Sequence, residues 1–256
     1  MFLRVVRARV KEGALWRFRE YYEERILPAL EQTEGCLYAA LLRPTAESAA
    51  GGLDSLTLWE SAAHADAYVN SGLYDDLLDG ADPYLAAAAT EWKADLSRPL
   101  SGQRPPLPDP EVETFPVEVA RDAEGRTEGP ALYLRIVDHR VEPARFHELK
   151  KTYEERVAPA LLEIPGCLAT YLVEGLRGKS QALSVTFWKD EASALRYETS
   201  GHFDALATLL SPFLSGLYQW RLSLAPAGEE RGLKGSDLSV SGFQIVAGRR
   251  LRSPGA

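Results

Sequence analysis

Alternating and helical periods follow one another twice along this chain. "FLRVVRARV", from Phe2, alternates and begins apolar on both faces, which predicts a strand inside a sheet. From Glu12 to Thr33 the apolar positions Leu15, Phe18, Tyr22, Ile26 and Leu30 recur on one helical face. Gly35 then suits a left-handed helix cap. "CLYAALL" and "SLTLWE" predict a second and a third strand. Ser61, and Asp190 in the later copy, is placed to cap a second helix, which Ser71-Gly72 or Ser200-Gly201 breaks before another helical turn. "TEWKADL" predicts a fourth strand.

The same series returns with little change. "YEERILPALEQTEGC" (Tyr22–Cys36) is echoed by "YEERVAPALLEIPGC" (Tyr153–Cys167), 131 residues later (153 − 22). Trp59 pairs with Trp188 at an offset of 129 (188 − 59), as "SGLYDDL" does with "SGHFDAL". Trp92 meets Trp220 at 128 (220 − 92), and "YQWRLSL" is the second copy's fourth strand. At that last offset Phe115–Arg121 falls on Phe243–Arg249, and both stretches alternate. Each copy therefore predicts a final strand carried on an arm. The expected division is a first unit at 1–121, a connector at 122–130, a second unit at 131–249 and a tail at 250–256.

The order β-α-β-β-α-β is the split βαβ pattern of the ferredoxin-like fold, an α+β class. Such a unit covers one sheet face with helices and leaves the other apolar. A second copy on the same chain supplies the missing partner. Two tandem ferredoxin-like units are thus expected to form an intrachain pseudo-dimeric α+β barrel, each with an extra C-terminal arm strand. Pro28 and Pro159 fall mid-helix in both copies. A proline there removes a hydrogen bond and predicts a bend that keeps Leu30 and Leu161 buried.

Composition narrows the function. The 256 residues carry a net charge of −8, which argues against nucleic acid or anionic lipid as partner. No run of about 18 apolar residues suggests a membrane span, and the arginine-bearing N-terminus does not read as a signal peptide. Two cysteines and four histidines do not make a zinc cluster of the usual spacing, so no metal is expected. Cys36 and Cys167 read as small buried residues, and a cytoplasmic location is the default.

At this point the sequence resembles the antibiotic biosynthesis monooxygenase family of dimeric α+β barrels, fused in tandem. The residues that carry the resemblance are the "GC" after the first helix, "LWESAAHADAYVNSGLY" and "TFWKDEASALRYETSGHF". It spans both repeats and implies fold more than chemistry. The family includes cofactor-free oxygenases of phenolic or quinol-type substrates, haem-degrading enzymes and members without an assigned reaction. It also implies arm strands that cross between units. The haem-ligand position of the family falls near Leu78 and Ala207, and its asparagine near Arg7 and Asp138, so haem binding is disfavoured.

The candidate chemistry follows from the residues. Trp59 and Trp188 alternate in phase with Ser55/Thr57 and Ser184/Thr186, on the more polar strand face. They either line a pocket for a planar ligand or pack as core indoles. Tyr68 and Tyr197 follow nine residues later, as substrate hydrogen-bonders or core residues. Arg4 and Arg135 recur on an apolar strand and should meet a carboxylate such as Glu23 or Glu24, or an anionic ligand. Asp138, His139 and His202 occur only in the second copy, which makes the pocket beside Trp188 the better catalytic candidate. There His202 and His139 could take a proton from a phenol, with Tyr197 assisting and Trp188, Asp138 and Arg135 binding. Trp59 and Tyr68 would bind in the first copy. The expected reaction is cofactor-independent monooxygenation of a small aromatic by O2. The alternative is a non-catalytic ligand-binding or stress-response barrel, and further pairing into a homodimer stays open.

Overall fold

The computed structural model describes residues 1–45, 52–86, 111–122, 133–174, 181–215 and 239–251. In the first unit, strand β1 (Phe2–Arg9) leads into helix α1 (Leu15–Tyr21), a π-helical turn (Tyr22–Ile26) and α2 (Leu27–Glu31). Strands β2 (Cys36–Pro44) and β3 (Gly52–Trp59), helices α3 (Ala62–Asn70) and α4 (Leu73–Ala81), and the arm strand β4 (Glu111–Asp122) follow. The second unit repeats the series: β5 (Tyr133–Arg140), α5 (Phe146–Thr152), a π-turn (Tyr153–Val157), α6 (Ala158–Glu163), β6 (Cys167–Glu174), β7 (Gln181–Trp188), α7 (Glu191–Thr199), α8 (His202–Leu210) and β8 (Ser239–Arg250). The expected fourth strands at Thr90–Leu96 and Tyr218–Leu224 lie outside the described residues, as does nearly all of the expected connector.

The arms join the units. β4 pairs with β1 of its own unit and with β6 of the other. β8 pairs with its own β5 and with β2 of the first unit. All pairings are antiparallel, and the order β1-β3-β2-β8-β5-β7-β6-β4 closes on itself. Closure leaves no edge unpaired among the described strands. Inside the ring lies a shared apolar core that includes Leu3, Leu56 and Leu58 from the first unit and Leu134, Tyr171 and Phe187 from the second. Each sheet's outer face carries its own helices over a second core.

The expected helix caps are formed. Ser61 Oγ accepts from His64 N–H, and Asp190 Oδ1 accepts from Ser193 N–H at 2.7 Å. Gly35 adopts φ 77°, and a Cβ there would strike the His64 ring at 2.2 Å, so α3 can close over this turn only above glycine.

The two prolines produce a wide turn rather than a simple kink. Leu27 N–H donates to the Tyr22 carbonyl, five residues back, and Ala158 does the same to Tyr153. Proline cannot donate, and its ring clashes with the carbonyl four residues earlier. A π-turn just before it makes room for the ring while the chain stays helical. Tyr22, Leu30, Tyr153 and Leu161 are all buried as a result.

The seam between β8 and β2 is tight at Gly248, opposite Ala40. A Cβ on Gly248 would lie 2.8 Å from both the Ala39 carbonyl oxygen and Ala40 Cα. Gly248→Val is expected to cost about 1–3 kcal/mol by overpacking. Urea unfolding of the variant should show a lower midpoint, and an unchanged midpoint would mean that the seam yields.

Candidate functional site

A cavity of about 70 Å³ lies in the first unit, between the outer sheet face and the helices. A single water needs roughly 10–15 Å³ on this scale, so a small ring is a reasonable occupant. β1 contributes Arg4, Val6 and Ala8, each two residues apart and so on one face. Ser55 and Thr57 come from β3, Tyr22 and Ile26 from the π-turn, Tyr68 from α3, and Tyr74 and Leu77 from α4. The wall is mostly apolar, with one cation and a few hydroxyls.

Arg4 supplies that cation. It is 5% exposed, and its guanidinium lies 4.3 Å from the centroid of the Tyr74 ring and 5.9 Å from that of Tyr68. The expected pairing with Glu23 or Glu24 is not formed: Glu23 instead accepts from Arg19 Nε at 3.0 Å. The Tyr74 hydroxyl is buried without a partner. Tyr22 shares a hydrogen bond of 3.1 Å with Ser55. Burial raises the hydroxyl pKa of Tyr22, although the bond to Ser55 opposes the shift. Burial likewise raises Tyr68, against the nearby charge of Arg4. Tyr22 and Tyr68 therefore stay protonated at neutral pH and act as hydrogen-bond donors rather than bases.

The tryptophans sit deeper. Trp59 is fully buried, donates from Nε1 to Thr57 Oγ1 at 2.9 Å, and stacks on Tyr68 at 5.1 Å. Trp188 does the same with Thr186 at 2.8 Å and Tyr197 at 5.2 Å. Each indole backs a tyrosine and fixes its ring. In the first unit that tyrosine, Tyr68, faces the cavity, whereas Trp59 is not among the lining residues.

The second unit holds different side chains at the matching positions. His139 stands where the first unit has Ala8, and it is 3% exposed. Both of its ring nitrogens are buried without a partner. Burial, and then the charge of Arg135, push its pKa down to about 4, so it is neutral at pH 7. Arg135 Nε donates to Glu198 Oε1 at 2.5 Å, and its guanidinium lies over Phe203 and Tyr197. Glu198 belongs to α7, not to the first helix of the unit. Tyr153 O–H bonds both Thr170 at 2.5 Å and Ser184 at 2.7 Å, where the first unit has Ala39 in place of the threonine. Burial raises the Tyr153 hydroxyl to about 12 and pushes Tyr197 up as well.

The second-unit candidates do not all converge. Arg135, His139, Tyr197 and Trp188 lie on the helix-covered side of the sheet. Asp138 alternates to the other face and accepts from Gln181 Nε2 at 2.7 Å. His202 is exposed at the start of α8, with Nδ1 2.7 Å from Ser200 Oγ. Among the described residues no group of three or more His, Cys, Asp or Glu is arranged to hold a metal. No described helix is long and apolar enough to cross a membrane.

Sequence reasoning placed the site beside Trp188 and did not single out Ala8, Tyr74 or Val69. The signal was available: Ala8 aligns with His139, and Val69 aligns with Glu198. A small residue aligned with a large one, and an apolar residue aligned with an acid, mark where the copies differ in size and charge.

Comparison with known proteins agrees with the repeat. The family model "Antibiotic biosynthesis monooxygenase" matches twice, over residues 1–80 and 133–209. Two solved structures share the fold over nearly the full length, both described as "putative monooxygenase". The Fusobacterium nucleatum protein has a TM-score of 0.66 at 11% identity, over 97% of this chain and 94% of that one. The Lactobacillus acidophilus protein has a TM-score of 0.65 at 8% identity, over 98% and 96%. An "anthrone oxidase-like protein" follows at a TM-score of 0.51 and 12% identity, over 98% and 94%. No curated protein matches the sequence.

Proposed function

Because the chain belongs to the antibiotic biosynthesis monooxygenase family, we propose that it oxidises a small phenol or hydroquinone with O2, without a cofactor, in the cavity of its first unit. The observation that carries this reading is the apolar cavity with one cation, Arg4, and no carboxylate or imidazole among its described lining residues. A positive charge at low dielectric favours the phenolate over the phenol. An electron-rich phenolate can reduce O2 directly. The substrate gives up its hydroxyl proton and one ring hydrogen. One oxygen atom of O2 becomes a ring carbonyl and the other leaves as water. The substrate supplies all four electrons, so no external reductant is needed. The apolar wall keeps bulk water from the reacting carbon, and Tyr22 and Tyr74 offer hydroxyls as hydrogen-bond donors.

The test is oxygen uptake on a panel of phenols and hydroquinones, with wild type and Ala8→Leu compared. Leucine at this wall position fills the cavity, and uptake is expected to fall at least tenfold with the fold retained by circular dichroism. Unchanged uptake in Ala8→Leu would move the reaction elsewhere.

A second reading puts the proton transfer in the second unit, at His139, with Tyr197, Arg135 and Trp188 around it and Asp138 and His202 further out. What favours it is the pair of unpartnered imidazole nitrogens. His139→Ala would then abolish uptake, while Ala8→Leu would not. If no substrate on the panel is turned over by either form, the oxygenase reading loses its support, and the alternative of a small-ligand binder is tested by titrating the cavity with ligand.

A further inference from the structure

The repeat supplies an internal comparison for the charge in the cavity. Arg4 and Arg135 occupy the same strand position, 131 residues apart (135 − 4), and both are at most 5% exposed. Each guanidinium lies over the matching aromatic ring of the helix above it, Tyr74 at 4.3 Å and Phe203 at 4.1 Å. Only Arg135 has a counter-charge, the Glu198 carboxylate. The residue aligned with Glu198 is Val69, and Arg4 forms no ion pair among the described residues. A guanidinium buried without an anion is costly, and proteins normally pair it. Here the unpaired one, Arg4, borders a cavity.

We propose that the first unit's cavity is an oxyanion site for a single-ring aromatic. The ionised oxygen of the ligand, phenolate or carboxylate, sits against Arg4 as the Glu198 carboxylate sits against Arg135. Val69 is the specificity-determining residue, because a valine there leaves the seat to a ligand while a glutamate fills it. In the second unit the same seat is occupied by the protein itself. Position 69/198 therefore decides which copy accepts an anion. This inference rests on the cavity reading above but not on the oxygen chemistry.

The test is calorimetric titration with 4-nitrophenol and benzoate, against the neutral analogues 4-nitroanisole and benzamide. Wild type is expected to bind one site per chain and to prefer an ionised probe at least tenfold over its neutral analogue. Tight binding of 4-nitrophenol alone assigns a phenolate, of benzoate alone a carboxylate, and of both a general oxyanion seat. Bound 4-nitrophenol should ionise at lower pH than free probe, read from its absorbance. Val69 is 36% exposed on α3, so Val69→Glu is expected to fold, and it should abolish the preference for the ionised probe. Val69→Leu should keep that preference. Equal affinity for neutral and ionised probes, or Val69→Glu binding anions like wild type, overturns the oxyanion seat and leaves the cavity reading standing. Absence of binding by all four probes overturns both. Anion binding without oxygen uptake supports the seat and removes only the oxygenase.

Discussion

Trp188→Ala should lower the stability of the protein by about 3–5 kcal/mol, the range for removing a large buried aromatic. The indole has no solvent exposure and packs among the helices and sheet of the second unit. Its ring stacks on Tyr197 with 27° between the planes, a contact worth about 0.5–1.5 kcal/mol beyond burial. Its N–H donates to Thr186, whose hydroxyl also lies 3.4 Å from the Arg135 carbonyl. The alanine variant loses packing, stacking and hydrogen bond together. Trp188→Phe keeps most of the packing, and its cost should be nearer 1–2 kcal/mol, since a lost hydrogen bond costs about that much. Urea denaturation followed by circular dichroism measures both. A loss below about 1 kcal/mol in Trp188→Ala would mean that the indole is not part of a tight core. A tryptophan essential for catalysis but not for packing would show the reverse pattern, with activity lost and the unfolding midpoint kept.

Acid should weaken the protein through His139. The imidazole is neutral and buried in the native state, with its pKa pushed from 6.5 down to about 4. In the unfolded chain it returns to the ordinary value, so the unfolded state binds a proton that the native state refuses. Stability from this group is complete above about pH 6.5. It is lost as pH falls from there toward 4, at up to about 1.4 kcal/mol per pH unit. The total is roughly 3 kcal/mol over that window. Carboxylates add their own acid dependence, so the readable quantity is a difference. His139→Ala removes this term, and the first unit already accepts alanine at the matching position, Ala8. The stability of wild type relative to the variant should therefore decline between pH 6.5 and 4. Parallel curves would mean that the ring is reached by water or finds a partner on protonation.

The origin of the low pKa also bears on chemistry. A histidine that is neutral at pH 7 with unpartnered nitrogens can accept a hydrogen bond, but it is a weak base. In the function proposed for the first unit, Arg4 works from the opposite side, stabilising the anion rather than pulling off the proton. The two copies thus differ in charge setting, an unpaired Arg4 against an Arg135 paired with Glu198, and they also differ at the aligned pairs Ala8/His139, Ala39/Thr170, Val69/Glu198 and Tyr74/Phe203.

The sequence by itself determined the architecture. Period and offset placed the tandem α+β units, the arm strands at Phe115–Arg121 and Phe243–Arg249, the Ser61 and Asp190 caps and the glycine turns. These features are local, or they repeat, and a repeat states its own alignment. The prolines were legible as a disturbance in the helix. That it took the form of a π-turn beginning at Tyr22 and Tyr153, whose rings the sheet beneath holds through Ser55, Ser184 and Thr170, showed only in the structure.

The tertiary structure alone decided which cation is paired and showed that the unpaired one borders a cavity. Strand alternation could put Arg4 and Arg135 on the helix-covered face, and it suggested Glu23 or Glu24 as partners. Ion pairing depends on where a neighbouring helix passes, and α7 brought Glu198 over Arg135 from 63 residues away. Histidine counts pointed to the second unit. Packing added a cavity in the first unit, walled in part by Ala8 where the second unit carries the buried His139.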